Sequence, residues 1–112
     1  MIGNRGDKPS GRILGFTWTP AVATKRIRAL AAKSGVIGLA DAVRTQISES
    51  GPTHPQLGRL LRAGTVREKP RASDDGAHHC VVEGLVPDAA RGARVGVTIW
   101  KDRLYVTSVE WS

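Results

Sequence analysis

Apolar side chains recur at helical spacing in three segments of the first half of the chain. The first helix is predicted to begin after Thr19, a good N-cap that is followed by proline, and to end at Gly35. A second helix is predicted over about Leu39–Ser48, before a Gly-Pro pair. Thr53 and Gln56 have the spacing of a capping box, so a third helix is predicted to start there.

The second half is rich in β-branched and aromatic residues that alternate with polar ones, as is typical of strands. Long strands are predicted at His78–Val86, Ala93–Trp100 and Leu104–Trp111, and a short one at Thr65–Glu68. The segment 101–103 is short enough to join the last two strands as a hairpin. The predicted fold class is therefore α+β, with two to three N-terminal helices packed on a C-terminal antiparallel β-meander of about four strands.

Length and composition narrow the class of protein. A chain of 112 residues, 40% of them hydrophobic, is sufficient for one core. Residues 1–15 are expected to form a flexible basic arm, because they are rich in glycine and charge and have few apolar side chains to bury. Residues 16–112 are expected to form a single domain. No apolar run reaches the roughly 18 residues that span a membrane. We therefore expect a cytoplasmic protein without a membrane partner.

Charge indicates the kind of partner. The formal net charge of +7 favours an acidic partner, of which nucleic acid is the commonest. Five cations follow the third helix and its connection into the sheet: Arg59, Arg62, Arg67, Lys69 and Arg71. We interpret this run as RNA-binding through phosphate contacts. A solvated surface that binds nothing is an equally good interpretation.

The run His78-His79-Cys80 is the main candidate for chemistry. A zinc site needs three or four ligands, and the sequence offers one further histidine and no second cysteine, so neither a metal nor a cofactor is expected. Neighbouring strand residues point to opposite faces, so His79 and Cys80 diverge, and Cys80 is predicted to be a core residue. Either His78 or His79 has the chemistry of an acid–base group for metal-independent RNA cleavage. The alternative is that one histidine is solvated and the other packs against a helix.

Three aromatic residues near the strand ends, Trp100, Tyr105 and Trp111, have two possible roles. Aromatic rings can stack on nucleic-acid bases. Aromatic residues at the ends of a sheet more often belong to the core, and the sequence leaves both roles open.

The order of several short motifs along the chain carries a resemblance. These are Phe16-Thr-Trp18-Thr-Pro20, Ile27-Arg28-Ala-Leu30-Ala, Leu60-Leu-Arg62-Ala-Gly64, Cys80, Val95-Gly96-Val97 and Ser108-Val109-Glu110-Trp111. Together they resemble a widespread bacterial domain family of unknown function that is related to the RelE/ParE-like toxins. The resemblance covers about residues 16–111. It implies a compact α+β toxin fold, cleavage of mRNA with or without the ribosome, and a small antitoxin protein as partner.

One helix departs from the pattern of that family. The resemblance implies a histidine followed by two arginines at steps of four on the second helix, and these positions are Ala42, Gln46 and Ser50 here. These side chains neither move a proton near neutral pH nor pair with a phosphate charge. The family's tryptophan two residues before the cysteine is His78.

Two functions follow from the residues and the resemblance. The first is a toxin-type domain of a bacterial toxin–antitoxin-like system that acts on RNA, either as a metal-independent endoribonuclease or by binding RNA or the ribosome. The alternative is a catalytically degenerate scaffold that works as a protein-binding or regulatory module.

Overall fold

The computed structural model describes residues 18–33 and 38–112. The predicted basic arm, residues 1–15, and the predicted helix end at Gly35 lie outside this part of the chain. The helices are α1 (Pro20–Lys33), α2 (Asp41–Ser50) and α3 (His54–Ala63). The strands are β1 (Gly38–Leu39), β2 (Thr65–Val66), β3 (Arg71–Ala72), β4 (His78–Val86), β5 (Arg91–Trp100) and β6 (Arg103–Trp111).

The six strands form one sheet in the order β1-β6-β5-β4-β2, and β3 also pairs with β4. All pairs are antiparallel except β1 with β6. The predicted α+β class is confirmed, with three helices on a mostly antiparallel sheet and β4-β5-β6 as the meander. Within the described residues, no helix combines the length and the apolar character needed to cross a membrane.

The structure corrects some predicted boundaries. Leu39 was predicted to begin the second helix, but it pairs with Val106 in the sheet, and α2 begins at Asp41. Residues 71–72 are not among the predicted strands, but they pair with β4. β1 pairs with β6, which is distant in sequence, so a local pattern does not reveal it. β3 pairs with β4 across the turn at residues 73–77. The capping box is confirmed, because Thr53 Oγ1 accepts from the Gln56 N–H and Gln56 Oε1 accepts from the Thr53 N–H.

The core lies between the helices and one face of the sheet. Alternate residues of β4, including Cys80, Val82 and Val86, are buried beneath the helices. The other residues of β4, including His79 and Glu83, point to the opposite side. We call this opposite side, on which the described helices do not pack, the open face. The largest buried helix side chains are Ile27, Leu57, Leu60 and Leu61, and each is at most 1% exposed.

Helix α1 also covers the outer edge of β2. The Val66 N–H donates to Thr24 Oγ1 at 2.8 Å, so this edge N–H has a partner although no strand of the described chain lies beside it. Arg28 donates to the carbonyl oxygens of Ala63 and Gly64, both at 3.0 Å. These are end-of-helix carbonyls of α3, so one guanidinium satisfies them and also places positive charge at the negative end of the helix.

Candidate nucleic-acid interface

One end of the open face is a charge network around Arg94, in which two arginines face three carboxylates. Arg94 Nη2 lies 3.0 Å from Glu68 Oε2, and its other nitrogens lie 3.9 Å from Glu83 Oε2 and 4.0 Å from Glu110 Oε1. Arg67 joins the network, with its Nε 3.6 Å from Glu83 Oε1. Arg67 was predicted to bind RNA, but here its charge is already compensated by a carboxylate.

The middle of the open face carries a polar ladder that crosses four strands. Arg71 lies opposite His79, His79 opposite Thr98, and Thr98 opposite Tyr105. Directly opposed residues of a sheet have their Cβ atoms about 5 Å apart, so the four side chains form one continuous row. His79 Nδ1 lies 2.9 Å from Thr98 Oγ1. This contact engages Nδ1 and leaves Nε2 without a hydrogen-bond partner among the described residues.

A hollow of about 240 Å³ lies beside this ladder. Its floor contains Gly96, where the register of β5 and β6 shifts: Gly96 pairs with Ser108 and Val97 with Val106. Thr107 is therefore the extra residue of a β-bulge. A Cβ atom at position 96 would collide with Ser108 Oγ and lie 3.3 Å from Thr107 Oγ1, so the glycine keeps this space open.

The side chains around the hollow have the composition of an anion site. The polar groups on its wall, Glu68 apart, are those of Lys69, Arg71, His79, Thr107 and Ser108. Among the described residues, neither Lys69 nor Arg71 forms an ion pair. Glu68 also lines the hollow, but its carboxylate is held by Arg94. Two uncompensated cations and two hydroxyl donors can bind a phosphodiester, and an imidazole beside them can accept a proton from a hydroxyl next to the phosphate.

The turn before β4 borders the ladder and is fixed by Asp75. Its Oδ1 accepts from Ser73 Oγ and from the Ala77 N–H. The hydrogen bond from Ser73, followed by that from Ala77, lowers the pKa of this carboxyl below its ordinary value. Asp75 is therefore ionised near neutral pH, and its two hydrogen bonds stabilise the turn.

His78 lies on the opposite side of the sheet from His79. Its ring is stacked on Trp18, with ring centroids 3.8 Å apart and the planes 4° from parallel. Burial, and next the nearby charge of Arg26, lower the pKa of His78. The two histidines predicted as acid–base groups are thus separated by the sheet, and His78 takes part in packing beneath α1.

The predicted cations are separated in the same way. Arg59 and Arg62 are exposed on α3, in the helix layer, and Arg59 Nη2 lies 3.7 Å from Asp88 Oδ2. Lys69 and Arg71 lie at the hollow. The sequence run therefore does not form one patch, and its members face different sides of the domain.

Cys80 is a core residue, as predicted. It is 5% exposed beneath the helices, and burial raises the pKa of its thiol to about 11. A thiol that stays protonated is a poor nucleophile and a poor metal ligand. Within the part of the chain that the structure describes, no three His, Cys, Asp or Glu residues are grouped closely enough to hold a metal ion.

The two hydroxyl residues of the hollow, Thr107 and Ser108, were not predicted from the sequence. Alternation along β5 places Gly96 and Thr98 on one face, which is a usable signal, but pairing with His79 depends on the register. The bulge at Thr107 has no local signature in the sequence. The three positions at which the resemblance implies a histidine and two arginines, Ala42, Gln46 and Ser50, lie on α2 and do not line the hollow.

No known family model matches the chain, and neither a curated protein nor a solved structure is significantly similar to it. The resemblance to RelE/ParE-like toxins therefore stays a prediction.

Proposed function

We propose that the protein is a toxin-type domain of a bacterial toxin–antitoxin-like system, and that it acts on RNA through the hollow on its open face. The observation that carries the proposal is the meeting of Lys69, Arg71, His79, Thr107 and Ser108 at this hollow. The resemblance to RelE/ParE-like toxins supports the choice of RNA. A small antitoxin protein is the partner that the same resemblance implies.

Phosphate binding is the first part of the proposed activity. Lys69 and Arg71 bind phosphate oxygens, and the hydroxyls of Thr107 and Ser108 donate hydrogen bonds to the same group. Each phosphate that a protein neutralises on a single strand contributes about −0.7 to the slope of log K against log salt. Two cations therefore predict a slope of about −1.4.

Cleavage is the second part. His79 Nε2 accepts the proton of a ribose 2′-hydroxyl while that oxygen attacks the adjacent phosphorus. The bond from phosphorus to the 5′-oxygen breaks, the leaving oxygen takes a proton from water, and a 2′,3′-cyclic phosphate remains. Thr98 holds the imidazole through Nδ1, and the two cations stabilise the charge that develops on the phosphoryl oxygens. General acid–base help of this kind contributes about 10²- to 10⁴-fold in rate.

The two histidines provide a matched experiment. We would measure RNA integrity after induced expression in a bacterial host, and cleavage of total RNA by the purified protein. H79N retains a group that can bond to Thr98 but removes the titratable nitrogen, and it is expected to lose about 10²-fold or more. H78F keeps a ring against Trp18 and is expected to retain activity. Loss of activity in H78F with retention in H79N would overturn the assignment of His79.

The cations provide a second matched pair. K69M/R71M removes the two charges at the hollow, whereas R59M/R62M removes two charges from α3. The first variant is expected to weaken RNA binding at low salt and the second to leave it nearly unchanged. Equal losses would mean that overall charge, and not the hollow, holds the RNA.

The absence of ionisable groups at Ala42, Gln46 and Ser50 favours a second candidate, a protein-binding or regulatory scaffold. This candidate predicts that H79N and K69M/R71M keep the biological effect of the wild type in the host. It also predicts that the purified wild type neither cuts RNA nor binds it at low salt. That combination of results would replace the RNA proposal with the scaffold.

A further inference from the structure

Trp100 is an exposed aromatic side chain at the end of β5. It lies two residues after Thr98 and therefore on the same open face. Its side chain is among the few large apolar ones that are exposed in the described chain, and the residue is 38% exposed. Its Nε1 donates to the carbonyl oxygen of Asp75 at 3.3 Å, so the indole is hydrogen-bonded to the turn before β4.

Cations surround this indole. Lys101 Nζ lies 4.5 Å from the ring centroid, and Arg103 lies directly opposite Trp100 in the sheet. Among the described residues, neither cation forms an ion pair. An aromatic ring bordered by cations is the combination with which proteins hold single-stranded nucleic acid, since the ring stacks on a base and the cations follow the backbone.

The other two tryptophans of the chain are engaged in packing. Trp18 is stacked on His78, and Trp111 packs against the core with the Arg91 guanidinium 4.7 Å from its ring. Both lie on the helix side of the sheet. Trp100 is thus the tryptophan that shares a face with His79 and the hollow.

We propose that Trp100 is a stacking platform for one unpaired base, and that the RNA substrate is single-stranded across the open face. This inference rests on the proposed function. A base within a duplex has both faces covered by its neighbours, so it stacks on a protein ring only when it is unpaired and splayed out. The exposed cation–π contact of Lys101 is weak enough for a base to displace, and the ammonium then lies beside the adjacent phosphate.

The spacing along β5 fits a short single strand. Gly96, at the floor of the hollow, and Trp100 are four residues apart on one strand, which corresponds to about 14 Å at about 3.4 Å per residue. His79 pairs with Thr98, midway between them. A strand with a base on Trp100 and a phosphate in the hollow therefore passes over the imidazole.

The test compares one labelled oligoribonucleotide as a single strand and paired with its complement. H79N serves as the background so that the RNA is not cut, and circular dichroism confirms that each variant is folded. W100L removes the π face but keeps apolar bulk, and it is expected to weaken single-strand binding about 5- to 150-fold. W100F is expected to retain most of the affinity. L85A, an exposed apolar residue elsewhere on the same face, is expected to stay within about 2-fold of the background.

The outcomes separate this inference from the proposed function. If the wild type and H79N bind neither form of RNA at low salt, the proposed function fails and the inference with it. If H79N binds RNA, and W100L in this background binds the single strand as tightly as H79N alone does, the stacking role of Trp100 is overturned while the proposed function stands. The same holds if the duplex binds as tightly as the single strand. The inference is supported if W100L weakens binding of the single strand, W100F retains most of the affinity, and binding of the duplex does not show this difference.

Discussion

Thr24 makes a hydrogen bond that ties α1 to the edge of the sheet. Its hydroxyl donates to the Pro20 carbonyl at 2.9 Å and accepts from the Val66 N–H at 2.8 Å. Val66 is 3% exposed, so its N–H has little access to water if the hydroxyl is removed. Thr24→Val keeps the shape of the side chain and removes both hydrogen bonds.

The expected loss of stability follows from the Val66 N–H, which the substitution leaves without a hydrogen-bond partner. An unsatisfied buried N–H costs about 1–3 kcal/mol, whereas threonine and valine have nearly the same helix propensity. The Thr24 hydroxyl also donates to the Pro20 carbonyl four residues earlier in the same helix. A control variant measures how much stability the loss of such a bond costs. Thr45 makes the same bond to the Asp41 carbonyl at 3.3 Å on α2, and the structure gives its hydroxyl no second partner among the described residues.

Urea unfolding of the wild type, Thr24→Val and Thr45→Val measures the difference. We expect Thr24→Val to lower the free energy of unfolding by about 1–3 kcal/mol more than Thr45→Val does, with no change in the slope against urea. In a thermal scan of a domain of this size, each kcal/mol corresponds to about 4–8 °C. If both variants lose the same stability, the Val66 N–H does not depend on Thr24, and the account of how α1 covers the β2 edge is refuted.

Further predictions concern two glycines, the protonation of His78 and the burial of Cys80. Gly58→Ala, where a Cβ meets no atom within 4 Å in the middle of α3, should stabilise the fold by about 0.5–1 kcal/mol in urea unfolding. Gly64→Ala, whose Cβ would lie 2.6 Å from Val82 Cγ1, should destabilise it; a gain in both variants would contradict the packing. The pKa of His78 is lowered in the folded state, so the unfolded state binds the proton more tightly than the folded state does. The free energy of unfolding should therefore rise between about pH 5 and 7, and it should rise less in H78F. The Cys80 thiol, with its pKa raised to about 11, should react with a thiol reagent at pH 8 only after denaturant is added; rapid reaction of the native protein would refute its burial.

The long elements were predictable because their signals are local. The strand His78–Val86 was predicted with the bounds that the structure shows, and Thr53 begins α3 through contacts within three residues. The hairpin before β6 was also predicted, and its two turn residues, Lys101 and Asp102, have φ of 51° and 60°. Positive φ at both positions matches the right-handed twist of the flanking strands. The two-residue strand β1 escaped prediction because it exists through pairing with β6 alone.

The candidate site was predictable only in part. Alternation along a strand is sufficient to place His78 and His79 on opposite faces, but it does not state which face the helices cover. That choice depends on the long-range packing that buries Val82 and exposes Leu85. The contact between His79 and Thr98 depends on register, which the full set of hydrophobic contacts determines.

The charges of this domain show why a net charge is a poor guide to where a phosphate could bind. Arg67 and Arg94 share three carboxylates on the open face, and Arg28 is used to hold the end of α3. A cation beside a carboxylate presents less net positive potential to a phosphate than a cation without such a partner, so we expect it to add less affinity. Lys69 and Arg71 have no such partner within the described chain, and they flank a space that a glycine keeps open. We therefore expect the proposed phosphate binding to depend on these two side chains and on the bulge beside them, more than on the overall positive charge.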